Sequence, residues 1–207
     1  MAIASLVTVL GMLDSFGQSI DRGGSEVTRG AEDRVLVQLT TFQGADDPTV
    51  AALVADRAVD TADLGVRLPA VALGADGADA FDLVVDTYDF SAAVWSPTVS
   101  GGADHDPFAG IVLAKKAAAD LGVDPGDSVV IRHPAWVDDG FTLVESEILV
   151  SGVHPNPIRT FAYMDRGAAG LFGLDGQTNI VSVTPADGTS TTELQRALFG
   201  ADGVAST

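Results

Sequence analysis

The sequence predicts an α+β protein, and three observations carry that reading. A strand followed by a helix stands near each end of the chain, at Arg34 to Arg57 and at Asn179 to Phe199. A complete strand, helix, turn and strand unit occupies Gly110 to Arg132. The stretches between these units read mainly as strands. With 207 residues, 46% of them hydrophobic, the chain can bury the core of one large domain or of two small, closely packed ones.

Taken in order, Arg34 to Thr40 (RVLVQLT) is a strand. Asp47-Pro48 places an N-cap before a proline at the first helical position, opening a helix expected through about Arg57. Val66 to Leu73 and Phe81 to Tyr88 are two strands flanking the turn Gly74-Ala75-Asp76-Gly77, so the first half reads βαββ. Asp89 to Asp106 is rich in Ser, Gly, Pro and Asp and is expected to be loop with short strands. Ile111-Val112-Leu113 is an apolar run, Lys115 to Leu121 an alanine-rich helix, and Gly122 the left-handed C-cap, with Val123 folding back on the last turn. Asp124-Pro125-Gly126-Asp127 then puts Pro and Gly at the centre of a type II turn.

Ser128 to Ile131 and Ile148 to Val153 follow as strands. From Phe161 to Leu174, the spacing of Phe161, Met164, Ala168 and Leu171 predicts an amphipathic helix, weakened by Gly167 and Gly170. Asn179 to Thr184 (NIVSVT) is a β-branched strand. Ser190 and Glu193 form a capping box for a helix from Thr191 to Phe199 closed by Gly200, and Val204 to Thr207 is where a further strand is expected to start. The two βα units are alike in shape and could be related halves, with little likeness in sequence.

The formal charge of −18 and pI near 4.1 repel phosphate backbones and anionic membrane surfaces, so no nucleic-acid partner is expected. The 24 Asp against 5 Glu, and 9 Arg against 2 Lys, fit either a high-salt exterior or a GC-rich genome. Cysteine is absent, which removes disulfides, thiolate metal sites and cysteine nucleophiles together.

The side chains offer little chemistry. His105, His133 and His154 are dispersed, each near a proline, and read as surface-loop histidines without the close pair that tetrahedral zinc uses. Asp104, His105 and Asp106 with Asp86 and Asp89 could supply oxygens for calcium, but no EF-hand or RTX-type spacing exists and solvated carboxylates are the better reading. The motif G-x-S-x-G is missing, as are both glycine-rich phosphate motifs. Phe161, Tyr163, Met164, Phe172 and Trp136 could line a peptide or lipid groove, though their spacing favours core. No catalytic, cofactor-binding or metal-ligating residue is derived, no cofactor is expected, and the chain is not expected to be an enzyme.

The block GIVLAKKAAADLGVDPGDSVVIR (Gly110 to Arg132), followed by ILVSGV (Ile148 to Val153), resembles the extracytoplasmic, MacB-like periplasmic core domain of FtsX-like ABC transporter permeases, where a "gIvLs..lA..LGv..GD.V.i" block precedes "f.V.Gi". The resemblance extends to the order of elements through the NIVSVT-helix unit, and Asp89 to Pro107 has no counterpart in it. It implies an α/β sandwich, a porter-like subdomain built from residues 29–88 and 150–207, with a mostly β subdomain inserted at 89–149. It also implies placement on the extracytoplasmic side of the cell membrane and flanking transmembrane helices. ATP-driven displacement would reach it from a cytoplasmic ABC ATPase subunit, and a second permease copy could pair with it. The role would be export, lipoprotein or peptide handling, or signalling, with a peptide, lipid or lipoprotein as the substrate.

Met1 to Leu13 (MAIASLVTVLGML) is an uncharged apolar run with Leu6, Leu10 and Leu13 at helical spacing. It is shorter than the roughly 20 residues that cross a bilayer and lacks the basic region and cleavage site of a signal peptide. Residues 1–28 are therefore read as a membrane-proximal helix, the end of a transmembrane helix, with its exit segment; the alternative is a buried N-terminal helix. A second reading of the whole chain is a soluble enzyme or ligand-binding domain with a double-psi or cradle-loop barrel, in which a "LGV-x-x-GD-x-V" block also occurs. That reading requires a second copy of the block, and Leu121 to Val129 is the one copy present.

Overall fold

The computed structural model describes residues 31–91, 94–101 and 106–207, so the expected helix at 1–28 lies outside the described residues. Strand β1 (Val35–Gly44) leads through Asp47, whose side chain accepts from the Thr49 amide at 2.8 Å, into helix α1 (Pro48–Val54) and then β2 (Val59–Gly65). The same pattern recurs at the other end as β9 (Gln177–Pro185), helix α3 (Thr191–Phe199) and β10 (Val204–Ser206), with the expected Ser190–Glu193 capping box in place. The four strands form one antiparallel sheet in the order β10-β1-β9-β2. This is a split βαβ, ferredoxin-like arrangement, so the two βα units are topological halves of one subdomain. Val35, Val37 and Leu39 of β1 and Val181 and Val183 of β9 alternate onto the helix face, where Val50, Leu53, Leu194 and Leu198 close a compact core.

Everything between the halves builds a second body. Strands β3 (Arg67–Leu73), β4 (Asp79–Tyr88), β5 (Ile111–Ala114), β6 (Ser128–Val137), β7 (Gly140–His154) and β8 (Phe161–Asp165) close into a barrel in the order β3-β4-β8-β5-β7-β6. Each strand sends residues two apart into one interior: Leu68, Ala70 and Ala72; Leu83 and Val85; Ile111 and Leu113; Val129 and Ile131; Ile148 and Val150; Ala162 and Met164. The small residues among them let so narrow a barrel fill without clash. Helix α2 (Lys115–Leu121) adds Ala117 and Ala118 to this core. It ends as expected, with Gly122 at φ 69°, the Val123 amide bonded to the Ala118 carbonyl at 3.0 Å, and Gly126 at φ 105° in the following turn.

Three expectations are corrected. The helix expected over Phe161 to Leu174 is strand β8 followed by a 3₁₀ segment, Arg166–Phe172, because Phe161–Asp165 pairs with β4 on one side and β5 on the other. Those two ladders outweigh a helical spacing already weakened by two glycines. The helix from Pro48 stops at Val54, and residues up to Gly65 form the sheet's edge strand β2, whose VDTADLG sequence has little apolar alternation to reveal it. Finally, the chain passes from sheet to barrel between Gly65 and Arg67 and returns before Gln177, so β3, β4, the C-terminal end of β7 and β8 belong to the inserted body and not, as the 88/89 and 149/150 boundaries implied, to the sandwich.

Candidate functional site

The register of the sheet sets the geometry of the whole molecule. Val35 lies opposite Val183 and Gly44 opposite Gln177, while Val59 lies opposite Pro185 and Gly65 opposite Ile180. Gln38 lies opposite Ser206, with β10 running back toward the start of β1. Strand β1 therefore begins, and β10 ends, toward the Pro185 end of the sheet, whereas both crossings to the barrel lie toward the Gln177 end. With ten residues in β1, the two ends are about 30 Å apart.

The joint at the barrel end is built from buried and part-buried hydrogen bonds. The Thr178 hydroxyl donates to the Gly65 carbonyl at 2.8 Å, and the Thr87 hydroxyl accepts from the Val66 amide at 2.9 Å. The Thr87 amide donates to the Val66 carbonyl at 2.8 Å. Asn179 reaches across from β9 and pairs with both main-chain groups of Arg67, accepting from its amide at 2.7 Å and donating to its carbonyl at 2.9 Å. A side chain thus does for two separate bodies what a ladder does within one sheet. Gly65 is required here for close approach, because a Cβ on it would be driven into the Thr87 carbonyl oxygen.

A charged pair sits on the same joint. The Arg67 Nε and Nη2 donate to the two oxygens of Asp86, both at 2.7 Å, and the Tyr88 hydroxyl donates to Asp86 Oδ2 at 3.2 Å. Asp86 is 2% exposed. The hydrogen bonds and charge of Asp86 hold the Arg67 guanidinium above its ordinary value, and burial, reinforced by Asp86, pushes the Tyr88 phenol well up. Asp86 is therefore committed to an ion pair, not to a cation site.

The loop after β4 straps the remaining face of the sheet. Val94 and Trp95 are buried with Tyr88, Tyr163 and Ile180, the Arg34 guanidinium lies 4.3 Å from the Trp95 ring centroid, and the Val94 amide donates to Asp63 at 3.1 Å. Burial raises the Asp63 carboxyl, offset in part by that amide. Strand β9, covered by helices on one face and by this strap and the barrel on the other, is buried from Thr178 to Val183, which explains its β-branched sequence.

The candidates read from the sequence scatter. His133 and His154 are not on the surface: both are fully buried in the barrel, His133 bridging the Ser146 hydroxyl at 2.9 Å and packing edge-on to Phe172, His154 bonding the Phe161 carbonyl at 3.0 Å. The neighbouring Pro134 is tolerated because the β3 ladder to β6 ends at Arg132, so no partner there needs its missing amide. Asp104 and His105 lie outside the described residues. Asp89 binds Ser91, and Asp106 caps the Phe108 amide. Among the described residues no group of three or more His, Asp or Glu side chains is placed to hold a metal. Tyr163, Met164 and Phe172 are buried and Phe161 half-buried, as core readings require, but Trp136 is 45% exposed on the β6–β7 hairpin.

No family model and no curated protein matches the chain. Among solved structures it is similar to the extracellular domain of the noncanonic ABC-type transporter YknZ from Gram-positive bacteria, at 15% identity and a TM-score of 0.45, covering 82% of this chain and 96% of that one. It is also similar to the periplasmic region of MacB from Actinobacillus actinomycetemcomitans, at 11% identity and a TM-score of 0.46, covering 85% of this chain and 87% of that one.

Proposed function

We propose that this chain is the extracytoplasmic domain of an FtsX/MacB-like ABC transporter permease, and that it passes displacement from membrane helices to a barrel held outside the membrane. The observation that carries the reading is the placement of the chain's two described ends on adjacent strands at one end of the sheet, with the barrel joined at the other. Movement of the ends would travel along β1 and β9 and reach the barrel through the Gly65–Arg67 and Asn179 joint. Hydrogen bonds that are shielded from solvent in part and mutually satisfied give such a joint the stiffness that transmission needs. The role is non-enzymatic; ATP hydrolysis belongs to a separate cytoplasmic subunit, and the transported or sensed molecule would be a peptide, lipid or lipoprotein.

The test is to express the gene with its native flanks and treat intact cells with external protease. The expected result is apolar runs of about 20 residues on both sides of this segment, cleavage within the domain from outside, and co-isolation of a nucleotide-hydrolysing subunit. A domain protected in intact cells, in a gene that starts at Met1 and stops after Thr207, would overturn the proposal and favour a soluble barrel.

A further inference from the structure

The ladder of β6 to β3 ends at Val71–Arg132, and that of β7 to β5 begins at Val150. Between them, residues 134–143 pair across the hairpin and extend past the barrel. Trp136 lies opposite Phe141 and Pro134 opposite Leu143, which puts all four side chains on one face. The Trp136 and Phe141 rings meet edge-on with centroids 5.0 Å apart, and Phe141 leans on Phe42 of β1 at 5.6 Å. Trp136 and Phe141 stay about half exposed, and Leu143 is 70% exposed. Under this face lies a groove of about 310 Å³ lined by Phe42, Trp136, Phe141 and Leu174, with Asp175 as its charged residue. Asp138 and Asp139 form the turn of the hairpin. An adjoining hollow includes Arg67, whose charge Asp86 already matches.

We propose that this aromatic face and its groove dock a cationic, apolar segment of a separate polypeptide. A bulky side chain of the segment enters between Phe42, Phe141 and Leu174, and its lysines or arginines meet Asp138, Asp139 and Asp175. Charge chooses this occupant. A second copy of the chain meeting the same patch across a two-fold axis would bring like carboxylates together. An anionic lipid surface is repelled by a net charge of −18, which in turn draws cations in. Exposed Trp and Phe around a preformed hollow are the anchor residues from which small interfaces take most of their affinity. The surface would bind such a segment whichever larger protein carries the domain.

The test uses the full 207-residue chain and a short fluorescein-labelled peptide of lysine and leucine, followed by anisotropy, with the same pattern in glutamate and leucine as control. The lysine peptide is expected to bind and the glutamate peptide not. Leu143→Ser, at a site too exposed to endanger folding, should weaken binding about tenfold, as losing an apolar anchor does. The triple variant Asp138→Asn, Asp139→Asn, Asp175→Asn should weaken it similarly and flatten its salt dependence. Asp60→Asn with Asp187→Asn, near the opposite end of the sheet, should leave it unchanged. Equal binding of both peptides, an unaffected Leu143→Ser variant, or an equal loss on changing Asp60 and Asp187 would each overturn the docking site and leave only attraction to an acidic protein.

Discussion

Replacing Asp86 with asparagine is the sharpest probe of the joint. The wild-type carboxylate accepts two hydrogen bonds from Arg67 at 2.7 Å and one from Tyr88 at 3.2 Å, and is almost wholly buried. Removing one member of a buried ion pair costs about 3–5 kcal/mol, because the survivor is left charged and unmatched. Two features place Asp86→Asn at the lower end. Arg67 keeps 25% of its side-chain surface in solvent and can partly rehydrate, and asparagine retains one acceptor oxygen. A loss of about 3 kcal/mol, about a hundredfold in the folding equilibrium, is therefore expected. Urea unfolding followed by the fluorescence of Trp95, which packs on Tyr88 at 5.0 Å, reads it directly. The double variant Asp86→Leu, Arg67→Met removes both charges and should recover most of the loss, since apolar replacements of buried pairs are often neutral. A loss below about 1 kcal/mol for Asp86→Asn, or a double variant weaker than the single one, would refute the claim that this pair locks β3 to β4 where the barrel meets the sheet.

Two further expectations concern the same framework. Gly65→Ala should lower stability by about 1–3 kcal/mol, because the added methyl meets the Thr87 carbonyl, which is backbone and cannot swing aside; a wild-type urea midpoint would show that the close approach is not needed. Glu193 is held below the ordinary carboxyl range by its bonds to the Ser190 hydroxyl and amide. A folded value lying below the unfolded one means that its contribution is present above the usual glutamate range and fades as pH falls through the folded value. The stability gap between the parent protein and Glu193→Gln should thus be full at neutral pH and close below about pH 4, and a gap constant down to acid pH would reject the capping role.

Local signals were legible in the sequence wherever the chain alone decides its conformation. The Asp47 cap, the Gly122 stop with Val123 behind it, the Pro125-Gly126 turn and the Ser190 capping box all stand as read, because each is settled within a few residues. What was hidden is decided by partners far away. Phe161–Asp165 carries a helical spacing yet lies between β4 and β5, and β2 is too polar to read as a strand until β9 pairs with it. Proline marked His133 and His154 as loop residues, whereas barrel closure buries both. The joint itself was invisible: Asn179 and Arg67 are 112 residues apart, and nothing near either of them announces the other. Trp136 was grouped with core aromatics because composition cannot tell an inward from an outward face once a hairpin outruns its barrel.

The nesting of one body inside the other also dictates an order of assembly during synthesis. Strand β1 leaves the ribosome early, but the neighbour that covers it, β9, lies beyond the entire barrel, with Val35 waiting for Val183. The barrel closes on strand pairings made wholly between Arg67 and Asp165, so it can fold while the sheet is still half made. In chains truncated just after Leu174 and released, the barrel should therefore resist protease while β1 is cut. During that interval Val35, Val37 and Leu39 have no partner, and a β-branched segment kept waiting for its mate is where this protein would begin to aggregate.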